Sequence, residues 1–168
     1  MTADDPEFEA LGAAAQAPAL PAYVDGRQSE RALAIQRGVC RLFRAHGFAP
    51  LTELPLADGR RADVTALSGR GDVWIAEIKS SLEDFRVDQK WPDYLAWCDR
   101  FYFAVAPDFP RDILPVTTGL IIADRFGAEI IRESPEARLA GARRKAMTLR
   151  FAQLAALRVH AMMDGEAG

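Results

Sequence analysis

The sequence contains few of the residues that disulfide-rich, zinc-binding or membrane-spanning proteins require. Its 168 residues include two cysteines and two histidines. Because no CxxC pair is present, Cys40 and Cys98 are expected to be buried free thiols. No apolar run approaches the length of a membrane span. A signal peptide has a basic segment followed by an apolar core, whereas this N-terminus is acidic and rich in Ala and Pro, which argues against a signal peptide. These absences favour a protein of the reducing cytoplasm that does not associate with membranes.

The overall composition is typical of a globular protein, with 49% hydrophobic and 27% charged residues. The length suits one domain with a substantial core. Residues 1–26 are rich in Ala, Pro and acids and show no amphipathic period, so they are expected to form a flexible tail. Residues 27–163 are then expected to fold as one domain, and residues 164–168 to form a short disordered tail.

The net charge of −3 is unevenly distributed along the chain. Residues 1–25 hold five acids and no Lys or Arg, which leaves the remainder at +2. Within that remainder, residues 136–160 hold six basic residues against one acid. A local basic face matters more for binding phosphates than the average over the chain. The acidic total therefore does not exclude a nucleic-acid partner.

Apolar residues at helical spacing predict a first helix over residues 29–46. Ile35, Val39 and Phe43 would form its buried stripe. Ser29 is a suitable N-cap residue, and Gly47 is suited to the position just after the helix.

The rest of the chain alternates short apolar runs with turn residues. Asp58-Gly59 and Gly69-Arg70-Gly71 indicate tight turns, so the first three strands form a meander. No internal repeat interrupts this order. Strands are predicted near residues 48–54, 61–67, 73–79, 100–106, 119–123 and 128–132, and further helices near residues 91–98 and 134–163.

Two charged residues stand in a strand that reads as buried. In the run Trp74 to Lys79, residues i and i+2 point to the same face, so Glu77 and Lys79 project together while Ala76 and Ile78 face the other way. Asp63 lies in the preceding strand. If the two strands pair, two carboxylates and one ammonium group converge.

This group of side chains suits a divalent cation beside a phosphodiester. Mg²⁺ prefers hard oxygen ligands, which Asp63, Glu77 and the carbonyl of Ile78 can supply. Such an ion activates water and stabilises the charge that develops on phosphorus. Lys79 lies between carboxylates that favour its protonated form, so an electrostatic role fits it better than a general-base role. The alternative is an ordinary ion pair on an exposed strand face, although a central strand makes unpaired charge costly.

Asp63 followed by Glu77-Ile78-Lys79, in an αβββαβ order, resembles the PD-(D/E)XK nuclease superfamily. Ala62 stands where many members have proline before the first acid. Longer motifs are similar to those of the MmcB-like DNA repair proteins of alphaproteobacteria, over roughly residues 28–150. These motifs are Gly59-Arg60-Arg61-Ala62-Asp63-Val64, Glu77-Ile78-Lys79-Ser80-Ser81, Asp84-Phe85-Arg86, Asp88-Gln89-Lys90-Trp91-Pro92-Asp93-Tyr94, and Cys98-Asp99-Arg100-Phe101-Tyr102-Phe103-Ala104-Val105.

The resemblance implies an α/β fold with a restriction-endonuclease-like αβββαβ core, a mixed sheet flanked by helices, and extra C-terminal strands and a helix. It implies a role in DNA repair, with DNA and other repair proteins as partners, and Mg²⁺- or Mn²⁺-dependent cleavage of DNA. Asp63 and Glu77 would then be metal ligands and Lys79 the catalytic lysine. Because the superfamily contains inactive members, a non-catalytic DNA-binding adaptor is the main alternative. A structural domain with a surface Asp-Glu-Lys cluster is the third.

Several further residues are candidates for DNA contact. Related nucleases carry Gln-x-x-x-Tyr after the Glu-x-Lys strand, and Lys90 and Tyr94 have that spacing, which in an α-helix would place them on one face. Ser80 is a candidate phosphate ligand. Arg143, Arg144 and Lys145 form the strongest basic patch. The alternatives are that Tyr94 anchors the core, that Ser80 caps the next turn, and that the basic residues form a solvated helix face.

Overall fold

The computed structural model describes residues 29–88 and 90–165. The predicted N-terminal tail lies outside the described residues, as do all but the first two residues of the predicted C-terminal tail. The elements, in chain order, are α1 (Glu30–Ala45), β1 (Phe48–Pro55), β2 (Arg61–Ser68), β3 (Val73–Lys79), α2 (Leu82–Val87), a 3₁₀ helix (Trp91–Ala96), β4 (Arg100–Val105), a second 3₁₀ helix (Arg111–Ile113), β5 (Gly119–Ala123), β6 (Ala128–Arg132) and α3 (Gly141–Met163).

The six strands form one mixed sheet whose spatial order follows the sequence. β3, β4 and β5 are parallel to one another. The β1–β2, β2–β3 and β5–β6 pairs are antiparallel. Each parallel connection crosses over through helical segments or a long loop, as parallel pairing requires. The predicted αβββαβ core, its mixed sheet and the extra C-terminal strands and helix are therefore confirmed.

Apolar clusters cover both faces of the sheet. On one face α1 packs its predicted stripe, Ile35, Val39 and Phe43, against alternate residues of the central strands. On the other face α3 contributes Met147, Phe151 and Leu154. Burial of these two faces supplies the main stabilisation of the fold. β3 and β4 are the central strands of the sheet, which extends on both sides of them.

The ends of α1 follow the predicted capping pattern. The Ser29 hydroxyl accepts a hydrogen bond from the Ala32 amide at 3.1 Å, which satisfies one of the unpaired donors of the first turn. Gly47 has φ +82°, the left-handed conformation that ends many helices. The start of α1 is thereby fixed next to the ends of the central strands.

The C-terminal helix begins at Gly141, so the predicted start at residue 134 is wrong. Residues 134–139 instead have no regular secondary structure. The Phe101 amide donates to the Ser134 hydroxyl, and the Leu139 amide donates to Asp99 Oδ1. Pro135 also disfavours helical conformation at Ser134. Contacts with distant residues thus override the local helical pattern here.

The connection between β3 and β4 also differs from the prediction. Where residues 91–98 were expected to form an α-helix, the chain forms a 3₁₀ helix over Trp91–Ala96. A short helix, Leu82–Val87, comes before it, with the Ser81 hydroxyl accepting from the Asp84 amide.

Within the described residues, no helix is long and apolar enough to cross a membrane. Cys40 and Cys98 are free thiols, as predicted; Cys98 is buried, as expected, whereas Cys40 is only half-buried.

A buried carboxylate, Asp99, joins three segments on the α3 side of the sheet. It is 4% exposed. Its Oδ2 accepts from the Val73 amide at 2.7 Å, and Arg144 of α3 donates to both carboxylate oxygens, at 2.9 and 2.6 Å. Burial raises the pKa of Asp99, but the hydrogen bonds from Arg144, Val73 and Leu139 lower it by a larger amount. The net pKa is therefore below its ordinary value. One ionised side chain therefore holds together the start of β3, the segment of residues 134–139 and α3.

We predict that Asp99→Ala lowers the free energy of unfolding by about 3 kcal/mol, because it leaves Arg144 and two backbone amides without their partner. Urea denaturation measures this loss. Asp108→Ala is the matched control, since Asp108 pairs with Arg31 at an exposed position and its removal should leave the unfolding midpoint close to that of the wild type. Equal midpoints for the two variants would contradict the role given to Asp99.

Candidate active site

The site lies where β2 and β3 separate. Their ladder of paired residues ends at Val64 and Ala76. Asp63 and Glu77 are the next positions along the two strands, on opposite sides of the opening. A cleft of about 560 Å³ forms there, lined by Ser29, Ala32, Glu53, Arg61, Asp63, Glu77, Ile78, Lys79, Ser80, Asp84 and Asp88. The structure therefore brings Asp63, Glu77 and Lys79 into one cleft, as the sequence predicted.

Alternation along β3 has the predicted sense. Ala76 and Ile78 pack on the α1 side of the sheet, whereas Glu77 and Lys79 share the face that carries Ile75. Lys79 is 2% exposed and Glu77 is 6% exposed. An ion pair on an exposed strand face, the alternative interpretation, does not fit this burial.

Lys79 is held between two carboxylates. Its Nζ donates to Asp88 Oδ2 at 2.6 Å and lies 3.5 Å from Glu77 Oε1. Burial lowers the pKa of Lys79, but the charges of Glu77 and Asp88 together raise it above its ordinary value. Asp88 responds in the opposite sense: burial raises its pKa, and the hydrogen bond from Lys79 lowers it below the ordinary value. Lys79 is therefore an ammonium group at neutral pH, which agrees with an electrostatic role.

Glu77 is incompletely paired. Its Oε2 is buried and has no hydrogen-bond partner among the described residues. Burial and the neighbouring charge of Asp63 raise the pKa of Glu77 well above its ordinary value. A buried polar atom without a partner costs free energy. The oxygen is thus available to a proton or to a cation.

Asp63 has a similar environment. Its Oδ2 accepts a hydrogen bond from the Ile78 amide at 2.8 Å. Burial, together with the charge of Glu53, raises the pKa of Asp63 to about 7, because the two outweigh the lowering effect of that hydrogen bond. At neutral pH Asp63 is therefore poised to exchange its proton for a cation. The Ile78 carbonyl, which lies beside this amide, stays a predicted ligand.

The donors of the cleft fit a divalent cation of the Mg²⁺ or Mn²⁺ type. The two central carboxylates supply hard oxygen ligands, and one buried oxygen of Glu77 is unpartnered. Within residues 29–88 and 90–165, no three His, Cys, Asp or Glu side chains stand together as a ready-made metal cage. Mg²⁺ usually keeps several waters and takes one or two protein carboxylates, so such a cage is not required.

The sequence interpretation did not identify Glu53, and it gave no definite role to Asp84 or Asp88. Asp84 accepts hydrogen bonds from the Ser80 amide and hydroxyl, at 3.1 and 3.4 Å, so Ser80 is already engaged with a carboxylate in the cleft. Glu53 could have been found by counting along the β1–β2 hairpin. The turn around Asp58-Gly59 sets a register that places Glu53 opposite Asp63.

The predicted pairing of Lys90 and Tyr94 on one helical face is wrong. Lys90 precedes a 3₁₀ helix, in which residues three apart are aligned rather than residues four apart. Tyr94 is buried, stacks against Phe101 and donates its hydroxyl hydrogen to the Arg61 carbonyl at 3.1 Å. It therefore anchors the core, as the alternative interpretation proposed. Lys90 is exposed, and DNA contact by it stays a prediction.

The basic patch at the start of α3 has divided roles. Arg144 is engaged with Asp99 and has a structural function. Arg143 donates to the Ala96 carbonyl at 3.3 Å and lies over the Trp97 ring, while Lys145 is exposed. None of these three residues lines the cleft. Contacts of Arg143 and Lys145 with the phosphate backbone of DNA stay predictions.

We predict that the metal-free protein loses stability as pH rises from about 4 to 7. Folded Asp63 keeps its proton up to a pKa of about 7, whereas its ordinary value is 3.8. In that window the folded state binds more protons than the unfolded state, so the free energy of unfolding falls with pH. Urea denaturation in a chelator at pH 5 and pH 8 measures the difference.

Asp63→Asn should reduce this pH dependence, leaving the part that Glu77 contributes, and the exposed Asp112→Asn should not change it. Saturating Mg²⁺ should also flatten it, because a cation stabilises the ionised carboxylates. A wild-type stability that is equal at the two pH values in chelator would contradict the environment described for Asp63.

The fold and the cleft together define an α/β protein with an αβββαβ core, a mixed six-stranded sheet and an acidic cleft. The chain belongs to the MmcB-like family of DNA repair proteins, whose pattern it matches over residues 19–166. A protein of unknown function from Silicibacter pomeroyi is 45% identical with a TM-score of 0.80, over 84% of this chain and 97% of that chain. A repair endonuclease from Pyrococcus abyssi is a remote likeness at 21% identity and a TM-score of 0.33, over 51% and 41% of the two chains. No curated protein sequence matches the chain.

Proposed function

We propose that the protein is a divalent-metal-dependent DNA endonuclease that acts in DNA repair and hydrolyses phosphodiester bonds in the β2–β3 cleft. One observation carries the proposal: Glu77 Oε2 is buried with no hydrogen-bond partner among the described residues, in a cleft that also holds Asp63 and the ammonium group of Lys79. This combination costs stability in the absence of a ligand, and a hard cation offsets that cost. Family membership supports the repair role.

Asp63 and Glu77 are the proposed ligands of Mg²⁺ or Mn²⁺, with the Ile78 carbonyl as a third donor. When bound, such a cation lowers the pKa of water and polarises a phosphate oxygen. The Lys79 ammonium supplies positive charge where negative charge develops during attack on phosphorus. Asp88 orients that ammonium through the 2.6 Å hydrogen bond. These side chains lie on strands of the sheet or directly after one, apart from Asp88, which follows α2.

The charge of the cleft explains why a cation is needed for DNA to approach. Two basic residues, Arg61 and Lys79, face five acids among the lining residues: Glu53, Asp63, Glu77, Asp84 and Asp88. An excess of carboxylates repels a phosphate group. A divalent cation reverses this locally, so binding of DNA in the cleft and catalysis depend on the same ion. Arg143, Lys145 and Lys90 are proposed to contact the DNA backbone outside the cleft.

We predict that Asp63→Asn and Glu77→Gln each slow Mg²⁺- or Mn²⁺-dependent nicking of supercoiled plasmid at least about 100-fold, because each removes a metal ligand. Both variants should fold, since an uncharged side chain suits positions where burial disfavours the carboxylate. Gel analysis of plasmid conversion measures the rate. Asp93→Asn is the control, since Asp93 is exposed and pairs with Arg60 outside the cleft. Nicking by Asp63→Asn at the wild-type rate would contradict the proposal.

The alternative, a nuclease-fold adaptor that binds DNA without cutting it, has one structural observation in its favour. Lys79 is tightly held by Asp88, and the described residues offer no preformed metal cage. This alternative predicts that the wild type binds DNA yet leaves plasmid intact under every divalent cation. That result would replace the endonuclease by the adaptor.

A further inference from the structure

We propose that Glu53 is a third carboxylate ligand of the cation in the cleft, and that Arg61 competes with the cation for Glu53. The inference rests on the proposed metal site of Asp63 and Glu77. It adds a residue from β1 to that site, and it gives the metal-free state of Glu53 a defined partner.

Strand register places Glu53 in line with the two proposed ligands. On β1 it falls between Thr52, which pairs with Val64, and Leu54, which pairs with Ala62. It therefore lies opposite Asp63. Asp63 lies opposite Glu77 by the register of β2 and β3. Three acids thus form a row across three adjacent strands, and all three line the cleft.

The backbone of Glu53 is strained. Its φ is +55°, and it is the one non-glycine residue with a positive φ in the described part of the chain. This conformation is uncommon for a residue with a side chain and costs free energy. Glycine or asparagine adopts it more readily. Strain of this kind concentrates at functional sites, and here it occurs at an acid in the proposed metal cleft.

The surroundings of Glu53 show what it does without a cation. Its side chain is 14% exposed and forms an ion pair with Arg61, whose side chain is 46% exposed. Glu53 thus lies opposite Asp63 in the strand register, and the half-exposed guanidinium of Arg61, which also lines the cleft, pairs with its carboxylate.

An acidic row alone does not define a metal site, and Glu77 supplies the independent observation. The Glu77 side chain is 7% exposed, and its Oε2 has no partner among the described residues. Lys79 neutralises the other oxygen and Arg61 pairs with Glu53, which leaves the middle of the row without a positive charge from the described residues. A cation placed there pairs with Asp63 and the unpartnered oxygen of Glu77. The three side chains do not stand together as a metal-binding group in the metal-free structure, so Glu53 reaches the cation only by exchanging Arg61 for it.

The test is the affinity for Mn²⁺ alone, measured without DNA by the electron paramagnetic resonance signal of free Mn²⁺. Glu53→Gln should weaken binding at least about tenfold. Glu53→Asp keeps the charge but shortens the side chain, so it should also weaken binding if Glu53 is a ligand. Glu83→Gln is the charge-matched control, because Glu83 is exposed on α2 and does not line the cleft. It should bind as the wild type does.

Arg61→Gln tests the competition. It should tighten Mn²⁺ binding in the wild type and lose that effect in the Glu53→Gln background, since the two residues act on each other. If Arg61 acted only through its field, its effect would be the same in both backgrounds, and the competition would be refuted. Should Glu53→Gln fail to fold, Glu53→Asp serves as the second background and keeps the proposal testable.

Asp63→Asn separates this inference from the proposed function. If Asp63→Asn loses Mn²⁺ binding and both Glu53 variants bind normally, the Asp63–Glu77 site stands and Glu53 is not a ligand. If none of these variants changes the affinity, or the wild type binds no Mn²⁺, the metal site itself is refuted.

Discussion

The structure depends on a charged pair buried in its central sheet. Glu77 and Lys79 occupy β3 at 6% and 2% exposure, where each charge has lost most of its hydration. Such a pair is retained only if nearby groups satisfy it. Here Asp88 accepts a hydrogen bond from Lys79, while one oxygen of Glu77 has no partner within residues 29–88 and 90–165. The β2–β3 ladder ends one position before Asp63 and Glu77, so their carboxylates meet across an opening rather than across paired backbone. The cleft and its affinity for positive charge both follow from this arrangement.

The remainder of the fold holds that opening in place. Apolar faces packed by α1 on one side and α3 on the other make β3 a central strand. At the opposite end of β3, Asp99 joins the Val73 amide to Arg144. One end of the strand is therefore held by a fully satisfied carboxylate, and the other carries Glu77, whose Oε2 has no hydrogen-bond partner among the described residues. The first arrangement is typical of a structural ion pair and the second of a binding site.

The sequence was sufficient wherever a local rule decides the outcome. Alternation along a strand placed Glu77 and Lys79 on one face, and capping residues gave both ends of α1. It was insufficient where distant residues decide. The start of α3 depends on hydrogen bonds from residues 134–139 to Asp99 and its neighbours, and Arg144 reads as a surface base until Asp99 is placed beside it. Tyr94 was assigned to an α-helix that is a 3₁₀ helix. Glu53 required the hairpin register, and nothing local in the sequence reveals its positive φ.

The central claim is that the β2–β3 cleft binds a divalent cation through Asp63 and Glu77. The most direct measurement is anomalous X-ray scattering from crystals equilibrated with Mn²⁺ at neutral pH. We expect a manganese peak with carboxylate oxygens of both residues at roughly 2.0–2.6 Å from the ion. The Lys79 ammonium should still be hydrogen-bonded to Asp88. Crystals saturated with Mn²⁺ that show no peak in the cleft, or that bind the ion elsewhere on the protein, would contradict this claim.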